Sequence, residues 1–256
     1  MSNAIVTGAA SDIGQAIARA LVAEGSHVVL ADRDLDTVEA VARDLPGTEA
    51  VALDLRSADA VREVAADLVD RLGPPDHVVN GAAVCNGGPF ESVDEAIWSQ
   101  DLDVVLGGTI RLSQALLPAM REAGRGSVVN IASVNGHAYF GSDVYSAAKA
   151  GVLNLTRTLA VQYGPFGIRV NSVSPGTVIN APRRRQLAED PHALDRATEW
   201  YPLGRVGVPQ DVADAVVFLL SDRASWITGT DLRVDGGLLA GTRGLAEALD
   251  TSPDRG

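Results

Sequence analysis

Tyr145 and Lys149 stand four residues apart in Tyr-Ser-Ala-Ala-Lys, with only small side chains between them. On a helix this spacing stacks the phenol and the ammonium on one face, one turn apart. A free phenol titrates at about pH 10, too high for an efficient base at neutral pH. An ammonium at about 5 Å, in an effective dielectric of about 20, contributes on the order of 3 kcal/mol, or about two pKa units. The pair is therefore either a tuned proton-transfer group or an ordinary surface pair.

A second stretch offers phosphate chemistry. In Thr-Gly-Ala-Ala-Ser-Asp-Ile-Gly at 7–14, Gly8 permits a tight turn and Gly14 permits close packing of the helix that follows. The amino terminus of that helix presents N–H groups to a pyrophosphate. A glycine-rich turn alone serves structure as often as binding, but its place directly after an N-terminal strand favours a nucleotide. Asp32 ends the next strand, where a carboxylate accepts ribose hydroxyls and repels a 2′-phosphate. NAD is thus expected over NADP, with Arg33 the residue able to offset that preference. The competing reading of Asp32 is a helix N-cap, and the same alternative holds for Asp54, which otherwise suits an adenine contact.

The elements that must position these groups alternate along the chain. Strand-like runs are expected at 3–7, 27–31, 49–54, 76–80, 126–133, 168–174 and 231–235. Helical patterns fall between them, at 35–44, 57–72, 94–122, 143–163 and 209–221, after a first helix over Ile13 to Leu21. Continuous apolar strands alternating with helices imply an α/β protein with a parallel sheet covered on both faces. A single doubly wound domain over 1–240 is expected. Within it, 178–204 reads as a substrate-binding insertion, and 241–256 as a loosely held C-terminal tail.

Composition narrows the function classes. A net charge of −12 argues against nonspecific binding to nucleic acid or to an anionic membrane. The single cysteine, Cys85, rules out an internal disulfide framework and fits a reducing, cytoplasmic setting. No hydrophobic run is long enough to span a bilayer, and the early strand leaves no room for a signal peptide. The four histidines and lone cysteine show no metal-ligand spacing, so no metal is expected.

Taken in order, TGAASDIG, NGAA, NIASVNG, YSAAK, SPGTV and ITGTDLRVDGG resemble the motifs of the short-chain dehydrogenase/reductases, from about residue 3 to 238. The resemblance implies a Rossmann-type fold with a seven-stranded parallel sheet, and a homotetramer or homodimer assembled through two long helices. It places Ser133, Tyr145 and Lys149 around a reacting carbon: Ser133 holding the substrate oxygen, Tyr145 transferring the proton, Lys149 tuning it and holding the nicotinamide ribose. It implies cofactor contacts from Gly8, Ser11, Asp12, Ile13 and Gly14 in the turn and from Asp32, Asp54 and Leu55 on the adenosine side. Asn80 would lie beside the adenine-side ribose and Val178 at the nicotinamide amide. The expected activity is an NAD-dependent interconversion of a secondary alcohol and a ketone. Alternatives are an NADPH-dependent ketoreductase of a 3-oxoacyl substrate, or a nucleotide-binding protein without catalysis.

The chain departs from the family pattern in three places. Val105 occupies the position of an asparagine that supports a kinked helix and an ordered water beside the lysine. Asp12 replaces a glycine and is expected to cap the first helix. Ala83 adds a methyl to the altered Asn80-Gly81-Ala82-Ala83 run. Of the remaining residues, Cys85 is expected as a small buried or half-buried thiol, and His137 as a loop residue, with a place beside the substrate the alternative. Arg183-Arg184-Arg185 is expected as a solvated helix face, with an anionic substrate group the alternative.

Overall fold

Seven parallel strands form one sheet in the order β3-β2-β1-β4-β5-β6-β7 in this computed structural model, which describes residues 2–86, 90–180, 189–190, 192–241 and 244. The strands are β1 (Asn3–Thr7), β2 (His27–Asp32), β3 (Thr48–Ala52), β4 (His77–Asn80), β5 (Gly126–Ile131), β6 (Ile168–Pro175) and β7 (Asp231–Val234). Seven strands were expected from the sequence, and the parallel pairing agrees. The order changes direction between β1 and β4, which opens a crevice at the carboxyl ends of the strands.

Strand β2 shows why the sheet is covered twice. Side chains alternate across a strand. Val28 and Leu30 join the core made with α1 (Asp12–Ala23), α2 (Leu35–Asp44) and α8 (Pro209–Leu220). Val29 and Ala31 join the opposite core, with α3 (Ala58–Leu72), α5 (Gly108–Ala123) and α6 (Asp143–Tyr163). All four are buried, so the strand is apolar without interruption. Truncating a buried leucine such as Leu30 to alanine would cost about 2–5 kcal/mol.

The helical region expected over 94–122 is not one regular helix. It runs from α4 (Glu95–Leu102) through a π turn (Asp103–Gly107) into α5. The widened turn contains Val105, and such bulges bend a helix. The expected strand over 126–133 ends early, at Ile131, because Ser133 caps a short 3₁₀ turn there. Of the chain's tail, only Gly241 and Gly244 are described, and the Arg183–Arg185 run lies outside the described residues.

Candidate active site

The turn between β1 and α1 is held open by its glycines. Gly8 sits at φ +71°, and a Cβ there would lie 2.7 Å from the Gly81 backbone; one on Gly14 would collide with the Gly8 carbonyl. The helix cap is Ser11, not the Asp12 expected from the sequence. Ser11 has extended backbone (φ −74°, ψ 155°), and its Oγ accepts from the Gly14 N–H at 3.1 Å. Asp12 is instead the first helical residue, where its charge favours the positive end of the helix dipole.

A cleft of about 1490 Å³ runs along the carboxyl ends of the strands. That exceeds the roughly 300–1,000 Å³ of a pocket for one drug-sized molecule. On the β3-β2-β1 side, Gly8, Ser11, Ile13, Asp32, Asp54 and Leu55 line it. On the β4-β5-β6 side, Ser133, Tyr145, Lys149 and Val178 line it. Asp12, Gly14 and Asn80 are not among its lining residues. Asn80 is 4% exposed and donates to Asn130 at 2.7 Å; Asn130 in turn donates to Thr156 at 2.9 Å. Its side chain therefore orders the sheet against α6, a role that can hold together with the expected ribose contact.

Neither carboxylate at the adenosine end is a helix cap. Asp34 caps α2 and Ser57 caps α3. Asp32 accepts from the Ala10 N–H at 3.1 Å, tying the glycine turn to the end of β2, and from the Asp34 N–H at 3.1 Å. Asp54 pairs with Arg56 at 2.6 Å, and that guanidinium holds its carboxyl below the usual carboxylate range.

At the other end, α6 begins after Gly141 and Ser142, both with positive φ (81° and 58°). Ser142 is the single non-glycine residue in that region among the described residues, a strained turn that aims the first turn of α6 at the cleft. Tyr145 and Lys149 follow on that helix, with Lys149 Nζ 5.5 Å from the tyrosine ring centre. Lys149 is 2% exposed and donates to the Ile131 carbonyl at 2.5 Å. Burial pulls its pKa down to about 8. Burial also pushes the Tyr145 phenol up to about 12, although the Ser133 hydroxyl opposes the shift. Desolvation of the phenolate sets the direction, and the lowering expected from the ammonium is not seen.

Asn135 is a site residue that the sequence reading missed. Its N–H donates to Ser133 Oγ at 3.2 Å, and its amide donates to Gly141 O at 2.8 Å and Ser146 Oγ at 3.2 Å. It links the serine loop to the start of α6. The Ser-Val-Asn spacing, a hydroxyl two residues before a backbone donor, was the available signal. Tyr139, Phe140, Trp200 and Tyr201 also line the cleft; none was singled out from the sequence, although Trp200 and Tyr201 belong to the expected substrate insertion.

One incidental expectation changes, that of Cys85, and the loop reading of His137 holds. Cys85 is exposed and lines the cleft, because it sits in the irregular loop after β4 and not under a helix. His137 does not border the cleft: its Nε2 meets Asp231 Oδ2 at 2.9 Å and Ser174 Oγ at 3.3 Å, fastening the loop after β5 to β6 and β7. Both contacts use one ring nitrogen, so the three groups do not form a nucleophilic relay. Among the described residues, no helix is long and apolar enough to cross a membrane.

A family model described as enoyl-(acyl carrier protein) reductase matches residues 8–239. An uncharacterized oxidoreductase of Schizosaccharomyces pombe is 42% identical, over 96% of this chain and 93% of its own length. A 2-(S)-hydroxypropyl-CoM dehydrogenase of Xanthobacter autotrophicus is 37% identical, over 92% and 95%. Among solved structures, an oxidoreductase of the short-chain dehydrogenase/reductase family from Burkholderia thailandensis superposes with a TM-score of 0.91 at 38% identity, covering 97% of this chain and 96% of that one. A structure of ElxO with NADP bound superposes at 0.90 with 25% identity, covering 94% and 99%. Sequence and fold agree along nearly the whole length, and the chain belongs to the short-chain dehydrogenase/reductase family of NAD(P)-dependent oxidoreductases acting on hydroxyl or keto groups.

Proposed function

We propose that the protein interconverts a secondary alcohol and a ketone with NAD(H). The observation that supports this best is one cleft with the Gly8 turn and Asp32 in one half and Ser133, Tyr145 and Lys149 in the other. The turn, which side chains at Gly8 and Gly14 would block, suits a pyrophosphate. Asp32 and Asp54 would hold the adenosine, and Lys149 and the backbone at Val178 the nicotinamide riboside. When bound, the nicotinamide supplies or accepts the hydride.

Ser133, steadied by Asn135, holds the substrate oxygen. Tyr145 takes the hydroxyl proton during oxidation and returns one during reduction. Lys149 keeps a positive charge beside the phenol at neutral pH and thereby favours its ionised form. The stretch 178–204 serves as the substrate insertion, since Asn180, Ala197 and Trp200 from it line the cleft. Assembly into a homodimer or homotetramer through α5 and α6 belongs to the same proposal, and light scattering in solution tests it.

Arg33 and Arg56 support a second reading, in which NADPH serves a ketoreductase. Both line the cleft beside Asp32 and Asp54, where a 2′-phosphate would meet a guanidinium. Arg56 is already paired with Asp54, which favours the first reading. Following reduced-cofactor absorbance over a panel of alcohols and ketones, with each cofactor in turn, tests both. Absence of turnover with either cofactor would refute both readings.

A further inference from the structure

The cleft divides sharply by charge and by ring content. Its charged lining residues on the adenosine side are Asp32, Arg33, Asp34, Asp54 and Arg56. On the reacting side, the single charged group among the described residues is Lys149, which already donates to the Ile131 carbonyl. The chain has 3 Trp, 4 Tyr and 4 Phe, and five of these eleven line this cleft. All five lie on the reacting side: Tyr139, Phe140, Tyr145, Trp200 and Tyr201.

Three of those rings face outward. Tyr139 is 79% exposed, Trp200 67% and Phe140 43%. They come from two segments, the loop between Ser133 and α6, and the turn that follows α7 (Ala193–Thr198). The second segment is anchored: Tyr201 is 6% exposed, and its hydroxyl accepts from the Thr177 N–H at 2.8 Å. Trp200 is thereby held at the rim and not left on a free loop. Rings so exposed gain free energy when another apolar surface covers them, and stacking adds about 0.5–1.5 kcal/mol for an aromatic partner.

We infer that the substrate is a neutral alcohol or ketone bearing an apolar ring next to the reacting carbon, gripped between Tyr139 and Trp200. This rests on the alcohol–ketone reading above and names its substrate class. A carboxylate in the same place would meet desolvation without a free cation among the described residues. Tyr139 and Trp200 are on this account specificity residues.

The test compares kcat/KM for acetophenone, its carboxylated analogue 4-acetylbenzoate, and butanone, each with the preferred reduced cofactor. Acetophenone should exceed both others by about tenfold or more. Trp200→Ala and Tyr139→Ala should each lower the acetophenone-to-butanone ratio by about fivefold, while Trp200→Phe restores most of it. Unchanged cofactor affinity in each variant establishes that it is folded. Equal or better use of 4-acetylbenzoate, or a ratio that neither alanine variant moves, overturns the inference even though the alcohol–ketone reading stands. If no ketone turns over, calorimetry with the reduced-cofactor complex decides. Binding of acetophenone well above 4-acetylbenzoate supports the inference while the reaction reading fails; equal or absent binding overturns it.

Discussion

Lys149 donates to the backbone carbonyl of Ile131, the last residue of β5, at 2.5 Å. The bond fixes the ammonium at the floor of the cleft and joins α6 to the strand that leads to Ser133. The position of the ammonium therefore depends on the packing of α6 against the sheet. It also means the ammonium is satisfied by a neutral acceptor, which stabilises the charge less than a carboxylate would.

Titration should expose that arrangement. With its pKa near 8 in the folded protein against about 10.4 unfolded, Lys149 binds fewer protons folded than unfolded between those values. Its contribution to stability therefore rises from about pH 8 to about pH 10.4, and the buried ammonium is a cost below that window. Tyr145 works oppositely: its folded pKa near 12 lies above the ordinary 10, so its contribution is lost as pH rises beyond about 10. Urea unfolding of parent and Lys149→Met at pH 7 and pH 9.5 should show the parent gaining on the variant at the higher pH. Equal pH dependence would show that the lysine is not desolvated.

The sequence made the sheet and the meeting of Tyr145 with Lys149 legible because both have local signatures. Apolar strands alternating with helices required a covered parallel sheet, and Tyr145 and Lys149 needed no more than helical spacing to meet. What escaped was set by contacts between distant segments. Ser11 and Asp12 are both acceptable caps by type, and the φ, ψ of the turn chose Ser11. Asn80 faces Asn130 through strand register, which composition does not reveal. Trp200 and Tyr139 share a cleft although 61 positions separate them, so no spacing announced them.

Removing the phenolic oxygen should stop the reaction without disturbing the cofactor. Tyr145→Phe keeps the ring that packs beside Val105 and Ala148, and loses only the hydroxyl. Turnover should fall by about 10²–10⁴, with cofactor affinity within about twofold of the parent. Retention of near-parental turnover would take the proton-transfer role away from Tyr145.

Cofactor choice should follow Asp32. Its carboxylate lines the cleft between the Ala10 and Asp34 N–H groups, close to where a 2′-phosphate would sit. NAD(H) should bind at least about tenfold more tightly than NADP(H), and Asp32→Ala should narrow the gap. Because the same carboxylate ties the glycine turn to β2, the variant should also weaken NAD(H) itself. Tighter binding of NADP(H) by the parent would point instead to Arg33 and Arg56 as the governing pair.

Val105 tests whether this site tolerates the family's asparagine. The side chain is 1% exposed and packs with Ala132, Ala148, Val152 and Leu153, with the Tyr145 ring against the same cluster. Its carbonyl accepts from the Thr109 hydroxyl at 2.8 Å, and its backbone lies in the π turn. An asparagine would bring amide donors and an acceptor into apolar surroundings, costing about 1–3 kcal/mol if they stay unpaired. At about 2–4 °C per kcal/mol for a chain of this size, Val105→Asn should melt several degrees below the parent. Ser133, Tyr145 and Lys149 are untouched, so kcat of the folded variant should stay within about threefold of the parent or rise. A rise would accompany an amide that draws water towards Lys149 and shortens proton exchange, and a smaller solvent isotope effect would mark it. Val105→Ala separates packing from polarity, because it opens a cavity in the same cluster without adding a donor. If both variants fold and both lose turnover by more than about tenfold, the valine positions the Tyr145 ring, and the expectation of a tolerant site fails.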